Sequence, residues 1–473
     1  MKIALCFFDK QVSHLYEDNE NVVLFGNHGW SILIDGVRRS IAIDHFQPLD
    51  YTKEFSQIID TLRANMPTIS RWNSRGDTYE LLLRRAARQV LCIATGLKYY
   101  GISKCMMSTS VYHHLDSTIL DLAGRLASVP RIYLAFNIIT GHLLPLNQIE
   151  DIVTRKVLNY EISEYDASAD VQAFSQRSKE NHAPKIGQDV IASNENNYIK
   201  AIFFSLYHDL RSVFRFTRNI LISRKSADNN DFAYTTDSYP FQNLNQVIAQ
   251  RKALLYCEKK LTGVPLPVNP RVNLIIMAHF QPEASSFPEG GKLCNHIDII
   301  YKLRSLGYGD KLYYKEHFAS SFYFTSVGAT QVGAYRNIDY YKHLESLNCL
   351  FVKDVAGEKY GGARCRKYLP VTITGTVAVE RALNGLHTIV TGFPWYKGLP
   401  GVIHIDDLAD LSSLSSDLLL FNETIARESH EFLVSLLSNK TLTNASGIGL
   451  TGKLDDTLVG KFKCEFDKLL EIF

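Results

Sequence analysis

Three short stretches carry residue types that could do chemistry: Gln281-Pro282-Glu283-Ala284-Ser285, Lys315-Glu316-His317, and Thr374-Gly375-Thr376 with Glu380. Each follows or closes an apolar run of strand-like length. In open α/β sheets, ligands bind where strands end and loops lead into helices. Glu283 lies just past one such run, in a loop braced by Pro282. The following Glu289-Gly290-Gly291 would let backbone approach a ligand closely. Spacing alone leaves Glu283 open to a second reading, as a loop carboxylate or helix cap. Lys315 and His317 could hold phosphate charge, or protonate it as it leaves. A salt-bridged surface turn would explain that tripeptide if it stood alone. Thr374, Gly375 and Thr376 open a helix, where free N–H groups and the positive dipole end favour phosphate. Glu380 lies about one turn in, placed to accept hydrogen bonds from a ribose or base. Taken singly, this turn is an ordinary N-cap. The order of the three, each at a strand's end, points to an anionic substrate carrying a nucleotide.

The first half holds a second constellation. Tyr112-His113-His114-Leu115-Asp116 precedes a helical pattern. His114 beside His113 and Asp116 offers an acceptor-side base with an orienting carboxylate, or else a helix cap with exposed imidazoles. A third metal ligand is not evident, so no metal site is expected. Arg84, Arg85 and Arg88 form a basic helix face, either solvated or in contact with anionic glycan or lipid phosphate.

Elements of alternating period must position these residues. Strand-like pieces occur at 2–8, 22–25 and 31–34, separated by Asp, Asn and Gly turns. Asp77 as N-cap with Glu80 as a capping box starts a strong helix through residues 81–88. A helix over 117–127 leads through Val129-Pro130 into a buried strand at 132–139, the rhythm of a parallel sheet. Residues 161–245 read as a polar, irregular insertion and connection, least foldable at 168–182 and 226–237, with an apolar helix over 202–222 between them. A helix at 244–261 then reaches a hinge at Thr262-Gly263-Val264-Pro265-Leu266-Pro267. Beyond it come strands at 273–279, 311–315, 349–352, 371–374 and 387–391, and helices at 292–306, 377–384 and 423–438. The expected architecture is α/β, two Rossmann-like domains facing a cleft. The expected boundaries are 1–261 on the acceptor side, 262–425 binding the nucleotide sugar, and a helical segment 426–473 returning to the first domain.

Composition narrows the class. A chain of 473 residues is too long for one ordinary core. With 46% hydrophobic and 21% charged residues it reads as a soluble globular protein. Lys+Arg 51 against Asp+Glu 49 leaves a net +2, so bulk charge does not argue for nucleic acid. The eight cysteines are scattered without a CxxC pair, which fits a reducing cytoplasm better than a zinc site or disulfide scaffold. The apolar run at 3–8 is too short for a signal peptide, and no window is apolar enough for a membrane span. A cytoplasmic location is expected, with any membrane contact peripheral at the inner face.

The Gln-Pro-Glu-Ala-Ser, Lys-Glu-His and Thr-Gly-Thr stretches, with the His-His-Leu-Asp of the first half, resemble the bacterial capsule polysaccharide biosynthesis family. That family includes β-Kdo transferases of the GT-B type. The resemblance covers roughly residues 100–400 and is densest over 273–396. It implies a glycosyltransferase using a CMP-linked sugar acid such as Kdo, with no further cofactor and a glycan or glycolipid as acceptor. It implies that Lys315 and His317 face the phosphate, that Thr374, Gly375 and Thr376 complete its cradle, and that Gln281 and Glu380 help bind the donor. Glu283 would be a carboxylate nucleophile in a double displacement with retention. Other glycan-assembly enzymes would be natural neighbours. Phe318 stands where the family usually has Pro after Lys-x-His, and Glu283 where Kdo-transferring relatives tend to have Asp. A related nonulosonic acid or another activated sugar therefore stays open as donor. So do a sugar-nucleotide hydrolase or epimerase on the same fold, and a catalytically silent glycan-assembly protein.

Overall fold

The structure is a computed structural model that describes residues 2–6, 15–26, 29–34, 37–46, 55–56, 58–60, 62–63, 79–107, 115–148, 155–157, 160–179, 198–222, 242–261, 272–279, 290–317, 320, 335–353, 367–412, 414–443 and 456–472. Apolar runs in the first third become β1 (Lys2–Cys6), β2 (Val22–Gly26), β3 (Gly29–Ile34) and β4 (Val37–Ile41). Helix α1 (Tyr79–Tyr99), β5 (Ile102–Met107), α2 (Leu115–Leu126), β6 (Arg131–Phe136), β7 (Leu143–Gln148) and β8 (Arg155–Val157) follow. Together the strands form an eight-stranded sheet in the order β4-β3-β2-β1-β5-β6-β7-β8. Its centre, β2-β1-β5-β6, is parallel, while β3–β4 and β7–β8 add antiparallel ribbons at the two edges.

Strand alternation sends neighbouring residues to opposite faces. Ala4, Cys105 and Met107 join a core with the buried stripe of α1, which includes Leu83, Ala86, Val90 and Leu97. Ile3, Leu5, Met106 and Ile132 join a second core on the other face. Both faces being apolar is what a parallel sheet covered on both sides requires. Edge strand β4, Val-Arg-Arg-Ser-Ile, is largely exposed, and its charge blunts pairing with other chains.

The middle of the chain is more ordered than its composition suggests. Helix α3 (Ser168–Lys179) lies where the sequence reads as least foldable. Its two large apolar residues fall on one face, so Val171 and Phe174 are buried together with Ser178 while the other positions are at least partly exposed. Helix α4 (Tyr198–Ile222) is longer than the expected 202–222, and α5 (Gln242–Lys260) packs along it. The expected stretch 226–237 and the hinge at 262–267 lie outside the described residues, as does the Asp77 cap.

The remaining elements are β9 (Leu274–Met277), α6 (His296–Ser305), β10 (Leu312–Lys315), α7 (Ile338–Ser346), β11 (Cys349–Phe351), β12 (Leu369–Thr372), α8 (Val377–Leu383), β13 (Thr388–Val390), β14 (Val402–His404), α9 (Glu423–Leu437) and α10 (Asp456–Ile472). Their strands make a wholly parallel six-stranded sheet, β11-β10-β9-β12-β13-β14. Chain order runs outward from β9 to β11, then restarts on the other side of β9 with β12. The strand order is that of a doubly wound dinucleotide-type sheet, and the reversal between β9 and β12 is its switch point. Leu274 and Ile276 pack with α5, α6 and α7, and Ile275 and Met277 with Val377 of α8 on the opposite face.

The chain's last described helix lies against the first sheet. Phe462, Phe466 and Leu469 of α10 share a core with Ile3, Leu5 and Ile132. Leu442 bridges Leu143, and the Tyr16 hydroxyl donates to Asp467 at 3.1 Å.

Candidate functional site

The carboxyl ends of β9, β10 and β12 converge on one place in the second sheet. His279 follows β9, Lys315 closes β10 with His317 two residues on, and Thr374-Gly375-Thr376 follows β12. Since β9 separates β10 from β12 in the sheet, His279 stands between the other two groups. Thr374 donates its backbone N–H to His279 Nε2 at 3.2 Å, and Thr372 Oγ1 lies 2.9 Å from the same nitrogen. Accepting at Nε2, a neutral His279 carries its proton on Nδ1.

Only glycine fits at position 375. A Cβ there would lie 2.6 Å from Thr372 Oγ1 and 3.2 Å from His279 Nε2. The Gly375 carbonyl is held in turn by the Tyr396 hydroxyl at 2.8 Å. This turn differs in one respect from a simple phosphate cradle, because its first amide is already donated to His279. The helix it opens, α8, has seven residues, and Thr376 makes no side-chain cap. Glu380 is half-buried one turn in, and its N–H donates to the Thr376 carbonyl at 2.9 Å.

Strand alternation splits Lys315-Glu316-His317 between two roles. Glu316 turns to the side of Tyr314 and accepts five hydrogen bonds. Tyr314, Tyr341 and Arg336 Nε reach Oε2 at 3.0, 2.7 and 3.1 Å. The His317 N–H and the Ser320 hydroxyl reach Oε1 at 2.8 and 3.1 Å. A carboxylate so saturated and ion-paired to a buried arginine is a structural anchor. Lys315 and His317 fall on the alternate positions, and Lys315 is close enough to help hold His317 neutral. His317 in turn acts the same way on His279.

The anchor extends to the backbone of His279. Its N–H donates to His296 Nε2 at 3.0 Å, and its carbonyl accepts from Arg336 Nη2 at 2.9 Å. The other ring nitrogen of His296, Nδ1, lies 3.2 Å from the Tyr340 hydroxyl and 3.3 Å from Arg336 Nη2. Tyr340 meets Tyr314 at 3.0 Å, and Tyr314 donates to Glu316. Burial raises all three tyrosines well above their ordinary range, so each keeps its proton as a donor. A continuous run of hydrogen-bonding groups thus links the His279 amide to the Glu316 carboxylate.

Among the described residues, cationic groups lie close to these rings. Burial, with Lys315 and Arg336 nearby, pushes His317 down to about 3. Burial, His317 and Arg336 push His279 down to about 3 as well. His296 is driven the same way by burial and Arg336. All three are neutral at pH 7, and Lys315 is itself buried. An anion entering here meets a lysine charge in a site of low dielectric, where Coulomb attraction is strong. The same anion would stabilise imidazolium and draw a proton onto His317.

The other expected site residues are placed as follows. Gln281, Glu283, His113 and His114 lie outside the described residues, the first pair following β9 and the second pair between β5 and α2 in the chain. Asp116 is the second residue of α2, and its side chain lies outside the description. Lys315, His317, Thr374 and Gly375 are brought together around His279; Thr376 and Glu380 continue from that turn. His279, His296 and Arg336 were not singled out by the sequence. For His279 a signal existed, a polar residue ending the buried run Leu274–Met277 two positions before Gln281. Arg336 lies in no apolar pattern that would have marked it. Among the described residues, no group of three His, Cys, Asp or Glu is placed to hold a metal ion. Comparison of the chain with protein-family models and with curated proteins found no match.

Proposed function

We propose that the chain is a glycosyltransferase that transfers a sugar acid such as Kdo from a CMP-activated donor to a glycan or glycolipid acceptor, in bacterial capsule or lipopolysaccharide synthesis. The observation that carries this reading is the meeting of His279, Lys315, His317 and the Thr374-Gly375 turn at the switch point of a doubly wound sheet. A phosphate placed there has a buried lysine for charge and two neutral imidazoles for hydrogen bonds. In this reading the two sheets belong to two Rossmann-like domains facing a cleft in the GT-B manner. Residues 1–261 serve the acceptor, 262–425 hold the donor, and 426–473 return to the first domain.

The chemistry is a double displacement. The Glu283 carboxylate attacks the anomeric carbon as the bond to the CMP phosphate oxygen breaks. The leaving phosphate gains negative charge beside Lys315 and His317, which raises the basicity of His317 as a proton becomes useful. An acceptor hydroxyl then displaces Glu283 from the sugar, its proton passing to His114, with His113 and Asp116 orienting that base. Gln281 and Glu380 hold the sugar and nucleoside, and Thr376 completes the turn under the phosphate. The enzyme works in the cytoplasm, at the inner face of the membrane beside other glycan-assembly enzymes.

Thermal stabilisation by CMP, UDP, GDP and ADP tests the donor, since a ligand binding only the native state raises stability once its concentration exceeds Kd. A selective CMP shift, followed by transfer from CMP-Kdo only when an acceptor is present, is expected. Donor turnover without acceptor would make the protein a hydrolase, and absence of any nucleotide shift would make it catalytically silent. Glu283→Gln should abolish transfer while leaving the CMP shift intact; equal activity would remove Glu283 from the chemistry.

A further inference from the structure

Helix α4 turns its apolar side outward. Ile199, Phe203, Tyr207, Leu210 and Phe214 are between 53% and 70% exposed. At about 100° per residue, these five positions share an arc of about 80° and run about 22 Å along the helix. The opposite side is the one that folds. Ala201, Ser205 and Asp209 are buried there, against α5. Asp209 accepts the backbone N–H of Leu244 at 2.9 Å, and Arg251 of α5 stacks over the Tyr198 ring at 5.6 Å. The stripe is therefore not a core face awaiting its partner strand, because the core face of α4 is already filled.

Charge identifies what the stripe meets. Lys200, Arg211, Arg215 and Arg218 are the basic residues of the α4 sequence, and helical register places the exposed Lys200 and Arg211 together beside the stripe, within an arc of about 20°. The helix has one acidic residue, Asp209, which sits on the buried side. An apolar stripe with aromatic residues and a cationic border is the pattern of a helix lying in a membrane interface. A second copy of the helix would bring another cationic border and no acid to meet it. Among the described residues no helix is long and apolar enough to cross a membrane, and four cations keep α4 from being one.

We propose that α4 docks this protein on a bilayer surface containing anionic phospholipids, with Phe203, Tyr207 and Phe214 at the acyl boundary and its cations against lipid phosphates. This surface stands independently of the glycosyltransferase reading. It is mechanically joined to the candidate site through α5, where Gln250 Nε2 donates to the Ser320 carbonyl at 2.9 Å. Ser320 is one of the donors on Glu316.

Co-sedimentation of the full chain with vesicles tests the proposal. The protein should sediment with vesicles of phosphatidylglycerol and phosphatidylethanolamine, weakly with phosphatidylcholine alone, and less as salt rises. Phe203→Asp with Phe214→Asp should lower the bound fraction at least about tenfold while leaving the melting temperature unchanged, since both rings are exposed. Arg211→Glu should weaken binding to anionic vesicles only, and stands as the second variant if the double one folds poorly. No sedimentation with anionic vesicles, or binding that neither variant reduces, overturns the proposal. So does a concentration-dependent dimer, seen by light scattering, that the Phe substitutions dissolve, for then a second copy covers the stripe.

Discussion

Acid should destabilise this protein through its buried histidines. His279 is held at about 3 in the folded chain by burial, His317 and Arg336. An unfolded histidine titrates near 6.5. Between these values the unfolded state holds more protons than the folded one, so stability falls as pH falls. The loss begins near pH 6.5 and grows by about 1.4 kcal/mol per pH unit for each such group. At pH 5 His279 alone costs about 2 kcal/mol, the product of about 1.5 pH units and that slope. His296, depressed by burial and Arg336, adds a loss of the same sign. His317 keeps part of its surface exposed, so solvent screens its share and it adds less. Against a typical folding stability of roughly 5–15 kcal/mol, this is a large fraction. Urea unfolding followed by tryptophan fluorescence at a series of pH values from 7.5 to 5 measures it. The midpoint should hold above pH 6.5 and fall steeply below. His279→Gln, which keeps an acceptor for the Thr374 amide and binds no proton, should flatten the slope. A flat profile over that range, or a His279 ring seen by NMR to titrate near its ordinary value in the folded protein, would refute the burial argument.

Three further predictions concern the site. Arg336→Met should cost about 2–4 kcal/mol because it leaves the half-buried Glu316 carboxylate without its ion pair, and Glu316→Gln in the same chain should recover part of it; strict additivity in urea unfolding would show that the pair is not coupled. Gly375→Ala should cost about 1–3 kcal/mol through contact with Thr372 Oγ1 and His279, and Thr372→Ala should relieve at least half; a neutral single variant would mean that the turn has room. Lys315→Met should weaken CMP binding about tenfold to hundredfold by calorimetry, the worth of one charge-assisted hydrogen bond. Unchanged affinity would take the lysine out of the site.

The strands and helices that carry the site were largely legible, because fully buried parallel strands are apolar on both faces and stand out as runs. The residues between 273 and 391 illustrate this, with strand ends displaced by at most two positions from β9, β10, β12 and β13. Elements with weak patterns were missed. β4 is an edge strand with two arginines, β7 is interrupted by Pro145, and α7 is an amphipathic helix whose polar residues outnumber its buried ones. Helix α3 was misread for the same reason: three buried positions suffice to dock it on α8 and α9, and nine polar-leaning neighbours conceal them. In the site, the tripeptide Lys315-Glu316-His317 was visible as a unit, but its division was not. Which side each residue takes depends on the strand's register with β9, and so on Tyr314 meeting Glu316 across the same face.

That division explains how basic residues can gather inside a nearly neutral protein. Gathering Lys315, His317, His279 and Arg336 at one sheet end would be repulsive if every group were charged. Glu316 takes up the arginine on one face of β10, with both of its oxygens saturated. Burial keeps the histidines neutral on the other, so repulsion with Lys315 is avoided until an anion arrives. Arg336 and His296 meanwhile hold both backbone groups of His279, which fixes the ring against Thr374 and makes glycine necessary at 375. Loss of the anchor should therefore be felt at the ligand. If Arg336→Met unfolds at a lower urea concentration than the parent yet, where still folded, binds CMP normally, the anchor and the site are separate, and the connection drawn through His279 is wrong.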